Sequence, residues 1–352
     1  MGKDRRDPTM SDRIRRHPTL VLALPVVLAL ALAAAAAAAQ PLDGAPGDAP
    51  STLARAAAGD YRAAARYPAW SHPVAAGRPD PVRAERTPAP HSLAAPDGAA
   101  VRLSVWAAEV SFVAPETVVL HARLDGLAGA AAAGVVVSGE VRTAAGGAVG
   151  SVTYADDGVA PDERAGDGVY SAPFVLPEDA VPELAETFLV EVVATVPGSE
   201  PRQAASGFLY SNPWARLTGR FRDRVQDGNL VVLAQVEVER QGRFHLQGTL
   251  HTLQGEPVGW AQSAVELAPG RHWIELPFYG LMFPERGVSG PLRLGSVTLA
   301  TTGAMPNALG PVWVDAHTTR AYPAARFTAR PFGEPGLLQA ADRLEGQGPA
   351  SP

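Results

Sequence analysis

The chain has 352 residues, with 30 Lys+Arg against 36 Asp+Glu, a formal net charge of -6, 35 Gly, 33 Pro and no Cys. Lack of cysteine excludes disulfides, thiolate nucleophiles, cysteine-held zinc or iron–sulfur clusters, and a lipid-modified N-terminal cysteine. The single lysine is Lys3, so a phosphate loop of the Gly-Lys-Ser/Thr type and Schiff-base chemistry are excluded from the rest of the chain.

Residues 1–16 carry Lys3, Arg5, Arg6, Arg13, Arg15 and Arg16 against Asp4, Asp7 and Asp12, and Leu20 to Ala39 is uncharged and apolar. A basic start, an apolar run and a small-residue end read as a secretory signal peptide over 1–39, with cleavage expected after Ala39. The same run, uncleaved, would be long enough to anchor the chain in a bilayer. Removing six basic and three acidic residues leaves 24 arginines against 33 acids, a net charge of -9. A negative, lysine-free product is unsuited to nucleic acid. No second apolar stretch is long enough to span a membrane. The expected location is secreted, periplasmic or cell-surface.

Residues 40–98 are dense in Ala, Pro, Gly and Arg. Prolines at that spacing oppose helices and ladders, so the segment reads as a Pro/Ala-rich disordered arm or linker. One short helix over Ser51 to Arg66 is compatible with the pattern. Tyr61, Tyr67 and Trp70 are unusual for a linker and could dock on the folded part.

From about residue 100 the pattern changes to period two. Runs at Val101–Val105, Thr117–Leu124, Val135–Val141, Val149–Tyr154, Gly168–Leu176, Thr187–Val196 and Gln203–Tyr210 are short, β-branched and punctuated by Gly, Pro and Asp. That rhythm predicts an antiparallel, immunoglobulin-like β-sandwich over 99–212. A boundary falls at Ser211–Trp214. Further runs at Leu230–Glu239, Gly242–Leu253, Trp260–Leu267, His272–Phe278, Pro291–Ala300 and Val312–Thr319 predict a second β-sandwich over 213–332. The fold class is therefore all-β, two consecutive sandwiches, followed by a disordered tail at 333–352 with a short helical suggestion at Gly336–Leu344.

Val152-Thr-Tyr-Ala-Asp-Asp-Gly158, a spacer and Ala165-Gly-Asp-Gly-Val-Tyr-Ser171 resemble the signature of bacterial extracellular proteins of the choice-of-anchor X group. Asp227-Gly-Asn-Leu-Val-Val, Gly242-Arg-Phe-His-Leu-Gln-Gly-Thr-Leu, Leu267-Ala-Pro-Gly-Arg-His, Phe278-Tyr-Gly, Gly287-Val-Ser-Gly-Pro-Leu and Thr318-Thr-Arg-Ala-Tyr322 are similar to a β-sandwich module often appended to them. The resemblance implies exported modules carried by varied sorting signals, and it implies no catalytic residue.

The densest acidic constellation is Asp156, Asp157, Asp162, Glu163 and Asp167. Calcium takes six to eight oxygens, and a glycine-rich loop can wrap it. An EF-hand is excluded, because its third and fifth positions would be Gly158 and Ala160. Asp156, Asp157, Asp162 and Asp167 are the candidate metal ligands. The same Asp-Gly pairs serve as tight turns without any ion. His245 and His251 share a strand face but lie roughly 20 Å apart by strand rise, too far to share zinc.

No nucleophile elbow is present. Glu237, Glu239, Glu266 and Glu275 fall on predicted strands of the second domain, where a hydrolase would need two of them facing across a cleft. Trp260, Trp273, Phe278, Tyr279, Phe283 and Trp313 all lie in that domain. Phe278, Tyr279 and Phe283 sit in a loop-like stretch and are the candidate ligand-binding residues; core filling is the alternative. The sequence thus predicts a non-catalytic binding or structural module of the bacterial envelope or extracellular space. Its expected partner is an envelope or extracellular protein or a glycan. The competing readings are an extracellular hydrolase of carbohydrate or peptide, and an accessory subunit of one.

Overall fold

The computed structural model describes residues 49–93, 101–126 and 134–346. The segment expected as a signal peptide, 1–39, lies outside the described residues. The chain forms two units, Met1–Ala54 and Arg55–Pro352. Of the first, the described part is the opening of helix α1 (Ala49–Ala64). The second unit is essentially all-β and holds two hydrophobic cores.

The first core lies between two sheets. One has the strand order β2 (His91–Ser92), β3 (Arg102–Ala107), β5 (Val118–Asp125) and β8 (Val169–Phe174). The other has β4 (Ser111–Val113), β10 (Arg202–Ser211), β9 (Ala185–Thr195), β6 (Val136–Thr143) and β7 (Ala148–Thr153). All ladders are antiparallel except β4 with β10. Period-two patterning explains the core directly, because alternate side chains on a strand face the same way. On β5 Val118, Leu120, Ala122 and Leu124 are buried, and on β9 Phe188, Val190, Val192 and Ala194. Phe208 of β10 stacks on Phe188 at 5.6 Å and meets Phe112 of β4 edge-on at 5.8 Å.

The second core is shared by a three-stranded sheet and a six-stranded one. The smaller runs β11 (Ala215–Gln226), β12 (Asn229–Val238), β15 (Gly270–Phe278). The larger runs β1 (Ser71–Pro73), β14 (Pro257–Leu267), β13 (Gly242–Thr252), β16 (Leu292–Thr302), β17 (Ala308–Leu309), with β18 (Trp313–Thr318) also on β16. Leu230, Val232, Ala234, Val236 and Val238 of β12 share this core with Phe244, Leu246 and Leu250 of β13. β11 and β12 are joined by Asp227 and Gly228, both at positive φ (51° and 74°), the geometry of a tight two-residue hairpin. Gly228 is required twice over: a Cβ there would come within 2.9 Å of the Thr328 backbone nitrogen, which donates to the Gly228 carbonyl.

Two expectations are corrected. Residues 40–98 read in sequence as a disordered arm or linker; 40–48 and 94–98 lie outside the described residues. From Arg55 to Arg86 the chain instead builds onto the second core, although that core is mostly assembled from residues beyond 213. Tyr67 is a member of it, Trp70 packs against it, and both rings meet Tyr279 edge-on at 6.1 and 6.0 Å. β1 adds to β14 as an edge strand, the place in a sheet where proline is tolerated. Helix α2 (Pro81–Ala84) is capped by Asp80, whose Oδ1 accepts from the backbone N–H groups of Val82 and Arg83. β2 then crosses to the first core and pairs with β3. The segment folds because its few large residues are buried and its polar groups find partners, in spite of its proline content.

The tail expected at 333–352 carries helix α4 (Pro335–Gly346). Arg62 of α1 donates to Asp342 at 2.9 Å and also pairs with Glu345. The backbone N–H groups of Gly333 and Glu334 donate to the Ala65 carbonyl. Helix α3 (Met282–Arg286) closes one end of the second core with Met282 and Phe283. Where the two cores adjoin, Ser211 Oγ accepts from the Leu309 N–H at 3.1 Å, and Trp214 Nε1 donates to the Glu183 carbonyl at 3.3 Å.

Candidate functional site

The acidic loop joins β7 to β8. An isolated bridge between Ala155 and Ser171 closes its base. Asp156 Oδ1 accepts from the Gly166 N–H at 2.6 Å, and its Oδ2 from Gly168 at 3.0 Å. Asp162 Oδ2 accepts from Gly158 at 2.5 Å. Asp157 Oδ1 and Asp167 Oδ1 each accept from the N–H two residues on, those of Val159 and Val169, both at 2.9 Å. Such short-range bonds are what Asp contributes to turns, with glycine taking positive φ beside it. Gly158, Gly166 and Gly168 do so at 72°, 74° and 83°.

These bonds bring three of the four predicted ligands together. One carboxylate oxygen from each of Asp156, Asp162 and Asp167 lies within 4.8 Å of the others. Asp162 is buried, Asp156 half-buried and Asp167 exposed. Asp157 is not part of the cluster. Among the described residues none of the three forms an ion pair with an arginine. At 4.8 Å two full carboxylate charges repel by about 3.5 kcal/mol at an effective dielectric near 20, and by less where water reaches Asp167. The cluster can coordinate a divalent cation, which would relieve that repulsion, and the hard oxygen donors suit calcium or magnesium chemistry.

Beside the cluster is a cleft of about 240 Å³ lined by Trp106, His121, Asp162, Glu163, Asp167 and Ser171, among others. His121 Nδ1 lies 2.9 Å from Ser171 Oγ, and its ring stacks on Trp106 at 5.4 Å. Burial lowers the His121 pKa below its usual value, opposed by Glu163 and Asp162, so the ring stays neutral at pH 7. Sequence reasoning missed Trp106, His121 and Ser171. Three strands distant in sequence bring them to the loop, and no spacing announces that.

The candidate ligand-binding trio is corrected. Phe278 and Phe283 are fully buried and Tyr279 is 8% exposed. Phe283 lies against Phe327 at 4.2 Å, and the Tyr279 hydroxyl donates to the Arg330 carbonyl at 2.7 Å. The turn into α3 folds the whole stretch inward. A loop and a short buried helix carry the same apolar sequence, so exposure was not readable. Trp260 stacks on His72 at 6.2 Å, and Arg222 lies over Trp273 at 4.5 Å.

The strand glutamates are engaged by arginines. Glu237 pairs with Arg216 at 2.6 Å and Arg271 at 3.5 Å, Glu239 with Arg216 at 2.8 Å, and Glu275 with Arg224 at 2.5 Å. Glu266 is exposed and opposite Arg243 in the ladder. His245 is bonded to Gln262 at 2.9 Å, whereas His251 faces Asp80 at 4.0 Å. Among the described residues no helix is long and apolar enough to cross a membrane.

No curated protein matches the chain. Among solved structures, a DUF4785 family protein from Legionella pneumophila is 17% identical over 62% of this chain and 57% of its own, with a TM-score of 0.48. The chain thus spans less than two thirds of that protein. A tetra-tandem repeat from the extending region of a large adhesion protein is 14% identical, covering 65% of this chain and 50% of its own, at a TM-score of 0.25. The alpha-2-macroglobulin of Escherichia coli is 14% identical, covering 63% of this chain and 14% of its own, at a TM-score of 0.31. By family, residues 214–307 are similar to the C-terminal domain of DUF4785, a domain of unknown function.

Proposed function

We propose that this chain is an exported, non-catalytic binding or structural module of the bacterial envelope or extracellular space. Its two cores would be immunoglobulin-like sandwiches, and the β7–β8 loop of the first would be fixed by calcium. The observation that carries this reading is the convergence of Asp156, Asp162 and Asp167 within 4.8 Å on a loop shaped by glycines. The Leu20–Ala39 run behind a basic start supports export. The loop coincides with the stretch that resembles choice-of-anchor X proteins, and kinship with that group is part of the proposal. The arginine pairs on Glu237, Glu239 and Glu275 favour a binding role over hydrolysis, since a glycosidase needs carboxylates free to act on a sugar.

Thermal unfolding in calcium and in chelator tests it. At a hundred times the dissociation constant, calcium is expected to add about 2.7 kcal/mol. Asp167→Asn, at an exposed ligand, is expected to abolish that gain while leaving the melt in chelator nearly unchanged. Coincident melts of the parent protein in both conditions would remove the metal from the account.

A further inference from the structure

The outer face of the six-stranded sheet is half covered. Its ladder aligns outward residues in rungs across β14, β13 and β16: Glu266–Arg243–Thr302, Ala264–His245–Ala300, Gln262–Gln247–Thr298 and Trp260–Thr249–Ser296. The chain from His72 to Arg86 lies over the last two rungs. His72 stacks on Trp260, Thr249 Oγ1 donates to Asp80 Oδ2 at 2.6 Å, and Arg86 donates to Thr298 Oγ1 at 3.1 Å. The first two rungs are left open. They form a trough of about 520 Å³ with Trp70 as a wall and Arg243, His245, Gln262, Ala264 and Thr302 around it. A second hollow of about 460 Å³ shares Arg243, Thr302 and Gly303 and runs on to Trp214. The groove therefore has an indole at each end.

Its chemistry narrows the occupant. β13 is hydrogen-bonded to strands on both sides, so a peptide could not add to it by main-chain pairing. Ala264 and Gly303 leave a small-residue floor with no deep apolar pocket for a side chain. What remains is a flat indole beside fixed polar groups of both kinds. Arg243 makes no ion pair among the described residues and offers a planar set of donors. Gln262 offers an amide, held in place because its Nε2 donates to the Ala69 carbonyl at 3.2 Å. His245 is engaged at both ring nitrogens, with Gln262 Oε1 at 2.9 Å and with the Gln247 amide at 3.3 Å, and so holds the Gln262 amide in place. An aromatic face for ring C–H groups, with planar amide and guanidinium groups for hydroxyls, is the complement of a pyranose ring.

We propose that the trough between Trp70 and Trp214 is a binding site for a hexopyranose chain, with a sugar ring stacked on Trp70 and its hydroxyls bonded to Arg243 and Gln262. This rests on the reading of the chain as an exported binding module and names its ligand class.

Isothermal titration calorimetry on the full protein, with cellohexaose, laminarihexaose, chitohexaose and an oligogalacturonate as probes, tests the site. Saturable binding of at least one is expected. Preference for the oligogalacturonate would assign Arg243 to a uronate carboxylate, and preference for a neutral probe would assign it to hydroxyls. Ala264→Arg fills the floor from an exposed position and is expected to weaken binding about tenfold or more, as is Gln262→Ala, a loss of about 1.4 kcal/mol per tenfold. Trp70→Ala should do the same; because Trp70 also touches Tyr279, Ala264→Arg decides if that variant fails to fold. Trp273→Ala, on the other sheet, is expected to leave binding unchanged. No saturable binding by folded protein, or binding indifferent to Ala264→Arg, overturns the site. If that happens while the chain is still found outside the cytoplasm, the module reading stands and only the trough falls.

Discussion

His317 Nε2 lies 2.9 Å from Asp223 Oδ1, tying β18 to β11 across the second core's rim. The Asp223 side chain is 5% exposed. Its Oδ2 accepts from the Tyr322 hydroxyl at 2.5 Å and from the Arg320 backbone N–H at 3.2 Å. Burial alone would raise the Asp223 pKa, but the donors Tyr322, His317 and Arg320 together outweigh it and hold it below the usual value. Two strands and the segment leading to Phe327 thus meet on one carboxylate.

Acid sensitivity follows, with a definite sign. A depressed folded pKa contributes stability that is present above the unfolded value, about 3.9, and is lost as pH falls through the lower folded value. Unfolding followed from pH 7 to pH 2 is expected to show this loss below about pH 4. Asp223→Asn should be less stable at pH 7 by roughly 3–5 kcal/mol, as for a broken buried pair, and should lose less on acidification. An unaltered pH slope in Asp223→Asn would show that this carboxylate is not linked to folding.

The docked N-terminal segment gives a second expectation. Tyr67 fills the core against Tyr279, and its hydroxyl donates to Glu285, which also pairs with Arg66. Tyr67→Ala should cost about 3–5 kcal/mol in urea unfolding, the range for a buried aromatic. Tyr61→Ala, at an exposed position on α1, should be nearly neutral. Equal, small effects would return residues 55–93 to the status of a linker.

Gly295 is held to glycine by one ring. A Cβ there would overlap the imidazole of His251, which is itself placed by Asp80. Gly295→Ala is expected to destabilise by about 1–3 kcal/mol through overpacking. Adding His251→Ala should recover most of that loss. Gly280 is the contrasting case, since a Cβ there would overlap the Gly228 carbonyl. Backbone cannot be trimmed, so no second substitution should rescue Gly280→Ala. Thermal unfolding of the double variant distinguishes the two situations.

How much of this was legible in the sequence depends on the range of the interactions. Val118, Leu120, Ala122 and Leu124 alternate without interruption, and the strand they predict is present as β5. β12 is as plain, five inward apolar residues from Leu230 to Val238. β11 was missed because Arg216, Arg220, Arg222 and Arg224 fill its outer positions and a register shift between Leu217 and Phe221 breaks the alternation. β1 and β2 are two or three residues long beside prolines, and only the edges they join make them strands. At the acidic loop, local Asp-Gly chemistry brought three of the four candidate residues into the cluster, whereas the neighbouring His121 and Trp106 arrive through strand pairing. Phe278–Phe283 failed for the same reason: what covers it, Phe327 and Arg330, is some fifty residues away in the chain.

The central claim is that this all-β chain works outside the cytoplasm. The most direct measurement is fractionation of the cells that produce it, with the intact mass of the chain taken from each fraction. The chain is expected in the periplasm, on the surface or in the medium, with a mass matching cleavage after Ala39. A cytosolic chain with Leu20–Ala39 still attached would contradict it.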